Sequence, residues 1–330
     1  MNFAETIALA VRDVMRGPEF LMRMRFNVTG RIFWVMNTSD AGYVDFAKEH
    51  PTYEDGVAAV YATVALAYAA TTSNQNDTIA LAGHGSHSNA MITVAKNRVH
   101  FIGLDSGERL NSQGSKMVTP ATSVAATIAV IKNTGTRNTY RNIKFIQNGT
   151  NAAQLNAFWD TGEGTLAKNC SFHHNTIITT ASRCALKFGG DTCHYEKCQI
   201  GNSTVRKNVD NVAPLILDNP ARYSYFIDCM FIQYSQKTTA SCIDAPAANS
   251  VIGWIIFKNC FLLSASKGDG ANAAGTMAEA VTSILTSGYL YFVNCSSAFA
   301  TAMVEADASI YSDKVAPAAS AAGGISTAGA

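Results

Sequence analysis

A short phrase built around cysteine recurs through the second half of this chain and limits its fold more than any other feature. Lys168-Asn169-Cys170-Ser171-Phe172 is followed by Glu196-Lys197-Cys198-Gln199-Ile200 and Ile227-Asp228-Cys229-Met230-Phe231. Lys258-Asn259-Cys260-Phe261-Leu262 and Val293-Asn294-Cys295-Ser296-Ser297 continue the series, at cysteine intervals of 28, 31, 31 and 35 residues. Upstream, Asn142-Ile143-Lys144-Phe145 fits with Ile in the cysteine slot, and Arg98-Val99-His100-Phe101 fits again across a longer insertion. A second apolar run keeps step, with Ile131, Phe158, Leu186 and Leu217 each twelve residues before the slot. A period of this size marks an architecture in which one unit stacks on the next.

Each unit has room for two or three strands of about 4–6 residues, separated by Asn, Gly, Ser and Thr turns. The units are too short for a propeller blade and carry no helical pattern between strands. Parallel strands stacked coil on coil, at roughly 4.8 Å per rung, satisfy both limits. The expected fold is all-β, a single right-handed parallel β-helix solenoid of about eight coils over residues 51–310. Its first rung needs a cap, because it would otherwise expose backbone donors and acceptors. Val57, Val60, Tyr61, Val64 and Tyr68 fall at helical spacing and predict a capping helix over 55–72.

The stretch from Thr63 to Leu104, TVALAYAATTSNQNDTIALAGHGSHSNAMITVAKNRVHFIGL, resembles the opening of pectin-lyase-like right-handed β-helix proteins. These begin with a helix, then a strand and turn like Asp77-Thr78-Ile79…Gly83-His84, then a strand pair like Ile92-Thr93-Val94 and Val99-His100-Phe101-Ile102-Gly103. The Asp-Thr-Ile…Gly-His opening and the Gly103-Leu104…Gly107 turn resemble, more narrowly, β-helix proteins encoded by tailed phages. Ala82 stands where that pattern has Pro. The resemblance covers about residues 55–300 and implies the fold. It names no activity, because the superfamily holds lyases, hydrolases, tailspikes and inert structural modules.

The two ends fall outside the repeat. Residues 1–50 form an N-terminal arm with a short amphipathic stripe through Ile7, Val11 and Met15, ended by Gly17-Pro18. Phe20, Leu21, Met22, Met24, Phe26, Phe33 and Trp34 make this arm apolar and adaptable, which suits packing along the solenoid flank or docking on a partner. Residues 311–330 are an Ala/Gly-rich tail with little to bury, expected to be mobile unless a partner orders it.

Composition excludes several classes. The 330 residues hold 25 Lys and Arg against 24 Asp and Glu, a net charge of +1, so nothing steers the chain to nucleic acid. No apolar run reaches the ~18 residues of a membrane span. The first residues lack a basic region and a small-residue cleavage site, which predicts no secretory signal and synthesis in a host cytoplasm. Without export, eight cysteines read as reduced thiols.

Chemistry is sparse. Leu217-Asp218-Asn219-Pro220 aligns with Ile243-Asp244-Ala245-Pro246, which would bring Asp218 and Asp244 together on neighbouring rungs as a carboxylate pair for glycan hydrolysis. The plainer reading gives each Asp a turn hydrogen bond before its Pro. Trp159, Asp160 and Glu163 could form a sugar platform beside an acid, although turn residues surround them. His173-His174 after Cys170, and Cys193-His194 before Cys198, hint at zinc, but alternation makes the thiols core and the histidines surface. His84 and His87 read as turn residues. No catalytic residue, metal or cofactor is assigned.

The functional expectation is a non-enzymatic virion protein of a tailed phage on the capsid exterior, a decoration or cement protein docked on the major capsid protein through its arm. The phage resemblance implies a homotrimer. The alternative is a tailspike or tail-fibre protein that binds or depolymerises a host surface glycan.

Overall fold

The computed structural model describes residues 30–313 apart from 41, 51, 83–84, 89, 106–112, 121–127, 150–154, 176–182, 206, 208–209, 219, 236, 238, 265–276, 299 and 304–308, together with 325–326. The chain winds as a right-handed parallel β-helix with three long sheets of eleven, nine and seven strands. Each coil gives one strand to each sheet in turn. Thr139–Arg141 lies in the first, Lys144–Gln147 in the second and Asn156–Asp160 in the third. Leu166–Lys168, Ser171–His174 and Cys184–Phe188 repeat the series one rung on, each paired in parallel with its predecessor. The seven-stranded sheet sets the count of complete coils at seven among the described residues.

Two corners of each coil turn on a residue in the left-handed region. Entering the second sheet these are Asn142, Asn169, Lys197, Asp228, Asn259 and Asn294, with φ between 51° and 58°. Asn and Asp reach this region at low cost because a short polar side chain can bond locally. Here they also bond along the axis. Asn169 Nδ2 donates to Asn142 Oδ1 (2.9 Å), Asn259 Nδ2 to Asp228 Oδ1 (3.0 Å) and Asn294 Nδ2 to Asn259 Oδ1 (2.9 Å).

The slot that follows points inward, which is why it selects Cys or Ile. Cys170, Cys198, Cys229, Cys260 and Cys295 are buried, each Sγ donating to a carbonyl of the preceding coil at 3.3–3.5 Å. Burial pushes the thiols of Cys170 and Cys229 up, away from the reactive thiolate. All eight cysteines are free and buried. A thiol reagent should therefore label none of them in the native chain and all eight in denaturant; fast labelling before unfolding would contradict the ladder.

The corner entering the first sheet uses the same device at Arg98, Arg137, Thr192 and Tyr223, and glycine at Gly164, Gly253 and Gly288. This corrects one sequence alignment. Arg98-Val99-His100-Phe101 belongs to this corner, not to the cysteine corner. His100–Gly103 lies in the first sheet, where Phe101 pairs with Tyr140. At Arg98-Val99, as at the cysteine corner, a left-handed residue is followed by a buried apolar one, so the phrase matches at either.

The cap differs from its expected form in two ways. The helix spans Val64–Ala70 only, opened by Thr63, whose Oγ1 accepts from Leu66 N at 3.2 Å. Val60–Tyr61 is instead a short strand, pairing with Trp34 and Val35. Val57, Tyr61 and Tyr68 still pack on the core, so the apolar stripe is real but only its second half is helical. The expected arm boundary at residue 50 also moves. Ile32–Val35 lies inside the first sheet, between Val60–Tyr61 and Thr78–Leu81. At the other end, Ile310–Ser312 adds a rung to the first sheet and Ile325–Ser326 pairs antiparallel with Ser297 and Ala298.

Candidate functional site

The expected acid pair does not stand in register. Strand Leu215–Leu217 meets Ile243–Ala245 with Leu215 opposite Ile243 and Ile216 opposite Asp244, so Asp218 lies two residues beyond its supposed partner. Each carboxylate has its own engagement. Asp218 Oδ2 is 3.1 Å from Lys187 Nζ, and Asp244 Oδ1 accepts from Thr282 Oγ1 at 2.9 Å. The shared Asp-x-Pro motif misled because a slip of two residues keeps every side chain on the same face.

The sugar platform dissolves as well. Trp159 faces outward in the third sheet, flanked in register by Lys132 from the rung before and Lys187 from the rung after. Their Nζ atoms sit 4.2 and 4.7 Å from the ring centroid, so neighbouring rungs already occupy the indole as a cation–π stack. Asp160 points the other way and is fully buried. Tyr195 Oη donates to its Oδ2 at 2.6 Å, while Asn133 Nδ2 (2.8 Å), Gly162 N (3.0 Å) and Thr165 Oγ1 (3.2 Å) donate to Oδ1. Burial raises the Asp160 pKa against the pull of those donors. This carboxylate closes a corner and cannot meet a substrate.

The histidines depart from expectation too. His173 and His174 are buried, not on the surface. Alternation turns His173 away from the coil interior, but the outer side of this sheet is covered there. Gln113 bonds over the same strand, donating to Asn169 O (2.9 Å) and accepting from Ser171 Oγ (2.8 Å). His173 Nε2 lies 3.3 Å from Gln199 Nε2, and burial with nearby Lys144 and Lys207 pushes its pKa down to about 3. Lys207 is itself fully buried, which lowers its pKa to about 8. His87 is buried with a lowered pKa, and His84 lies outside the described residues. Among the described residues no three metal-binding side chains gather.

Of the proposed docking residues, Phe20, Leu21, Met22, Met24 and Phe26 lie outside the described residues. Phe33 and Trp34 do not serve such a surface. Phe33 faces the solenoid core, and Trp34 packs on Phe46 at 5.5 Å in a side cluster with Ile32 and Ala80. A β-strand with partners on both edges buries them.

The most distinctive outer surface escaped the sequence reading. On the first sheet the early coils are polar, with Lys168 Nζ 2.8 Å from Glu196 Oε1. Over the last coils the outward positions turn aromatic. Tyr223 and Tyr225 both meet Trp254, at 5.7 and 5.0 Å, and Trp254 lies opposite Tyr289. Tyr289, Tyr291 and Tyr311 then form a closed set of ring contacts at 5.2–6.2 Å. Tyr223 lies over Gly253, where a Cβ would come within 2.4 Å of the ring. Tyr223, Tyr225, Tyr289 and Tyr311 remain 37–48 % exposed. The signal was present in Tyr225-Phe226 and Tyr291-Phe292: where Phe points in, the residue before it must point out.

No protein-family model matches this chain, and no curated protein does. Solved structures do. Pectate lyase Pel9A aligns with a TM-score of 0.50 at 13% identity, over 89% of this chain and 82% of that one. The pectin methylesterase from Aspergillus niger gives 0.46 at 15%, over 86% and 93%. Geobacillus virus E2 ORF18 gives 0.27 at 12%, over 94% of this chain and 66% of that one. Stacked parallel coils, a capped first rung and the fit to the pectate lyase agree: the chain has a right-handed parallel β-helix fold, similar to that of the pectate lyase.

Proposed function

We propose that this chain is a non-enzymatic structural protein of a tailed-phage particle, set on the outside of the head as a decoration or cement protein. The observation that carries this reading is the divergence of Asp218 and Asp244, each held by its own partner two residues out of register. A hydrolase needs two carboxyls facing one bond. The stacked ladders of thiols, aromatics and asparagine amides support the same reading, because a continuous parallel ladder suits a stiff exterior component. The phage resemblance of the Asp77-Thr78-Ile79 opening supplies the setting. In this role residues 1–29 dock on the major capsid protein, and the solenoid stands clear of the lattice.

The test starts from the fold. Because Ile32–Val35 is an internal strand, the deletion must stop at residue 29. Removal of residues 1–29 should lower binding to purified heads by at least about 100-fold while leaving the thermal unfolding of the solenoid unchanged. Undiminished binding would remove the docking role. The depolymerase alternative makes the opposite demand. If the full chain cleaves bacterial capsular or lipopolysaccharide glycans, and an Asp218→Asn, Asp244→Asn double variant does not, the structural reading is wrong.

A further inference from the structure

We infer that the aromatic face of the first sheet is a self-association surface, covered in solution by the same face of a second copy of this chain. The inference rests on the surface itself and holds whether or not the protein belongs to a phage particle.

The face is a flat strip of three outward files running along the solenoid axis. Tyr223, Trp254 and Tyr289 make one file and Tyr225, Tyr291 and Tyr311 occupy the next, with Ile256 between Tyr225 and Tyr291. The third file holds Ile227, Lys258 and Val293 and, one residue past the Phe292–Ser312 pair, Asp313, so Lys258 and Asp313 are the two charges on the strip. Six of these eleven outward positions are Tyr or Trp and only two are charged, and rings left open to water at this density are costly to solubility. Ordinary ion pairs, Lys168–Glu196 and Arg222–Asp191, border the strip on its N-terminal side. Enrichment in Tyr and Trp is the composition of an interface core.

Size selects the occupant. The exposed parts of these side chains sum to roughly 500 Å², at the upper end of what a monomeric surface leaves open. Two such strips face to face would bury about 1,000 Å², the floor for a specific protein interface, before any rim is added. An oligosaccharide would cover a fraction of that area, and the aliphatic Ile256 and Val293 would offer its hydroxyls no bond. A straight strip repeated at the strand spacing is also self-complementary, since a two-fold axis lays one ladder of rings against an identical one. The ring contacts within each copy hold the tyrosines in place beforehand, which lowers the entropy lost on association.

Sedimentation equilibrium of the full chain between about 1 and about 100 µM tests this. The wild type should be a dimer or larger symmetric oligomer. Tyr289→Lys with Tyr311→Lys, at two of the most exposed rings, should weaken association by at least about 100-fold, because each cation then faces its own copy. Tyr289→Phe with Tyr311→Phe should retain association, and Lys132→Glu on the third sheet should leave it unchanged. Thermal unfolding of every variant reports whether the fold is intact, and Tyr225→Lys serves in place of any lysine variant that unfolds. A wild type that stays monomeric at about 100 µM overturns the inference, as does undiminished association of the lysine variants. Monomeric wild type that binds a glycan array through these tyrosines would assign the face to a saccharide instead.

Discussion

Lowering the pH from about 7.5 to about 4.5 should remove roughly 5 kcal/mol of folding stability through two histidines alone. Burial pushes His100 down to about 4, with Arg141 adding repulsion and Asp77 opposing it. Burial pushes His173 down to about 3, and Lys144 and Lys207 repel its charged form. A base whose folded pKa lies below its unfolded value of 6.5 binds fewer protons when folded. Its contribution is therefore complete above pH 6.5 and is lost as the pH falls toward about 4 for His100 and about 3 for His173. Two pH units below 6.5 cost about 2.7 kcal/mol for each residue. Hydrogen bonding deepens the effect at His173. Gln199 Nε2 faces His173 Nε2 at 3.3 Å and also donates to Gly201 O at 3.2 Å. A protonated ring sets donor against donor, and flipping the amide would set Gln199 Oε1 against the Gly201 carbonyl. Urea unfolding at both pH values, for wild type and His100→Gln, His173→Gln and their double variant, isolates these terms from the carboxylates that titrate in all four. The double variant should lose about 5 kcal/mol less than the wild type over the interval. Equal pH sensitivity of the two proteins would show that neither imidazole is held neutral.

The inward slots were legible because they repeat. A thiol or isoleucine after a left-handed corner, and an apolar residue twelve positions earlier, can fill the same place in every coil only if the coils stack. What the repeat could not tell was which corner a phrase belongs to. Arg98-Val99 and Asn142-Ile143 look alike because in both a left-handed residue precedes a buried apolar one. Asp218 and Asp244 failed for a related reason, since alternation fixes the face of a residue but not its height along the strand. His173 and His174 failed because alternation says which side of the sheet a residue takes and nothing about what lies over that side. The aromatic strip was legible in principle. Tyr225, Tyr291 and Tyr311 stand in register only once the coils are aligned, and their outward role follows from the inward Phe226 and Phe292.

Replacing Phe257 by alanine should destabilise the solenoid by about 3–5 kcal/mol. Phe257 is buried near the middle of a ring ladder in which Tyr195, Phe226, Phe257 and Phe292 stack at 4.9, 5.0 and 4.8 Å, with Phe231 edge-on to Phe257 at 5.8 Å. Truncation loses the burial of the ring and leaves a cavity between two others, which the stacked backbone cannot close because the rung spacing is set by hydrogen bonds. Leucine at the same position refills most of that volume and should cost clearly less. Location matters as much as size. Each coil touches only its neighbours, so the loss falls on the coils at the C-terminal side. Unfolding of Phe257→Ala should therefore split, with tyrosine fluorescence of the outer strip lost before the circular dichroism of the remaining coils. Guanidinium unfolding followed by both probes checks this. A single coincident transition, shifted by less than about 1 kcal/mol, would mean that the ring ladder does not hold the rungs together. The result also bears on the outer face, because Phe257 and Phe292 line the inner side of the two strands that carry Trp254, Tyr289 and Tyr291. A strip that presents aromatic rings to a second copy needs a rigid floor, and this ladder supplies it.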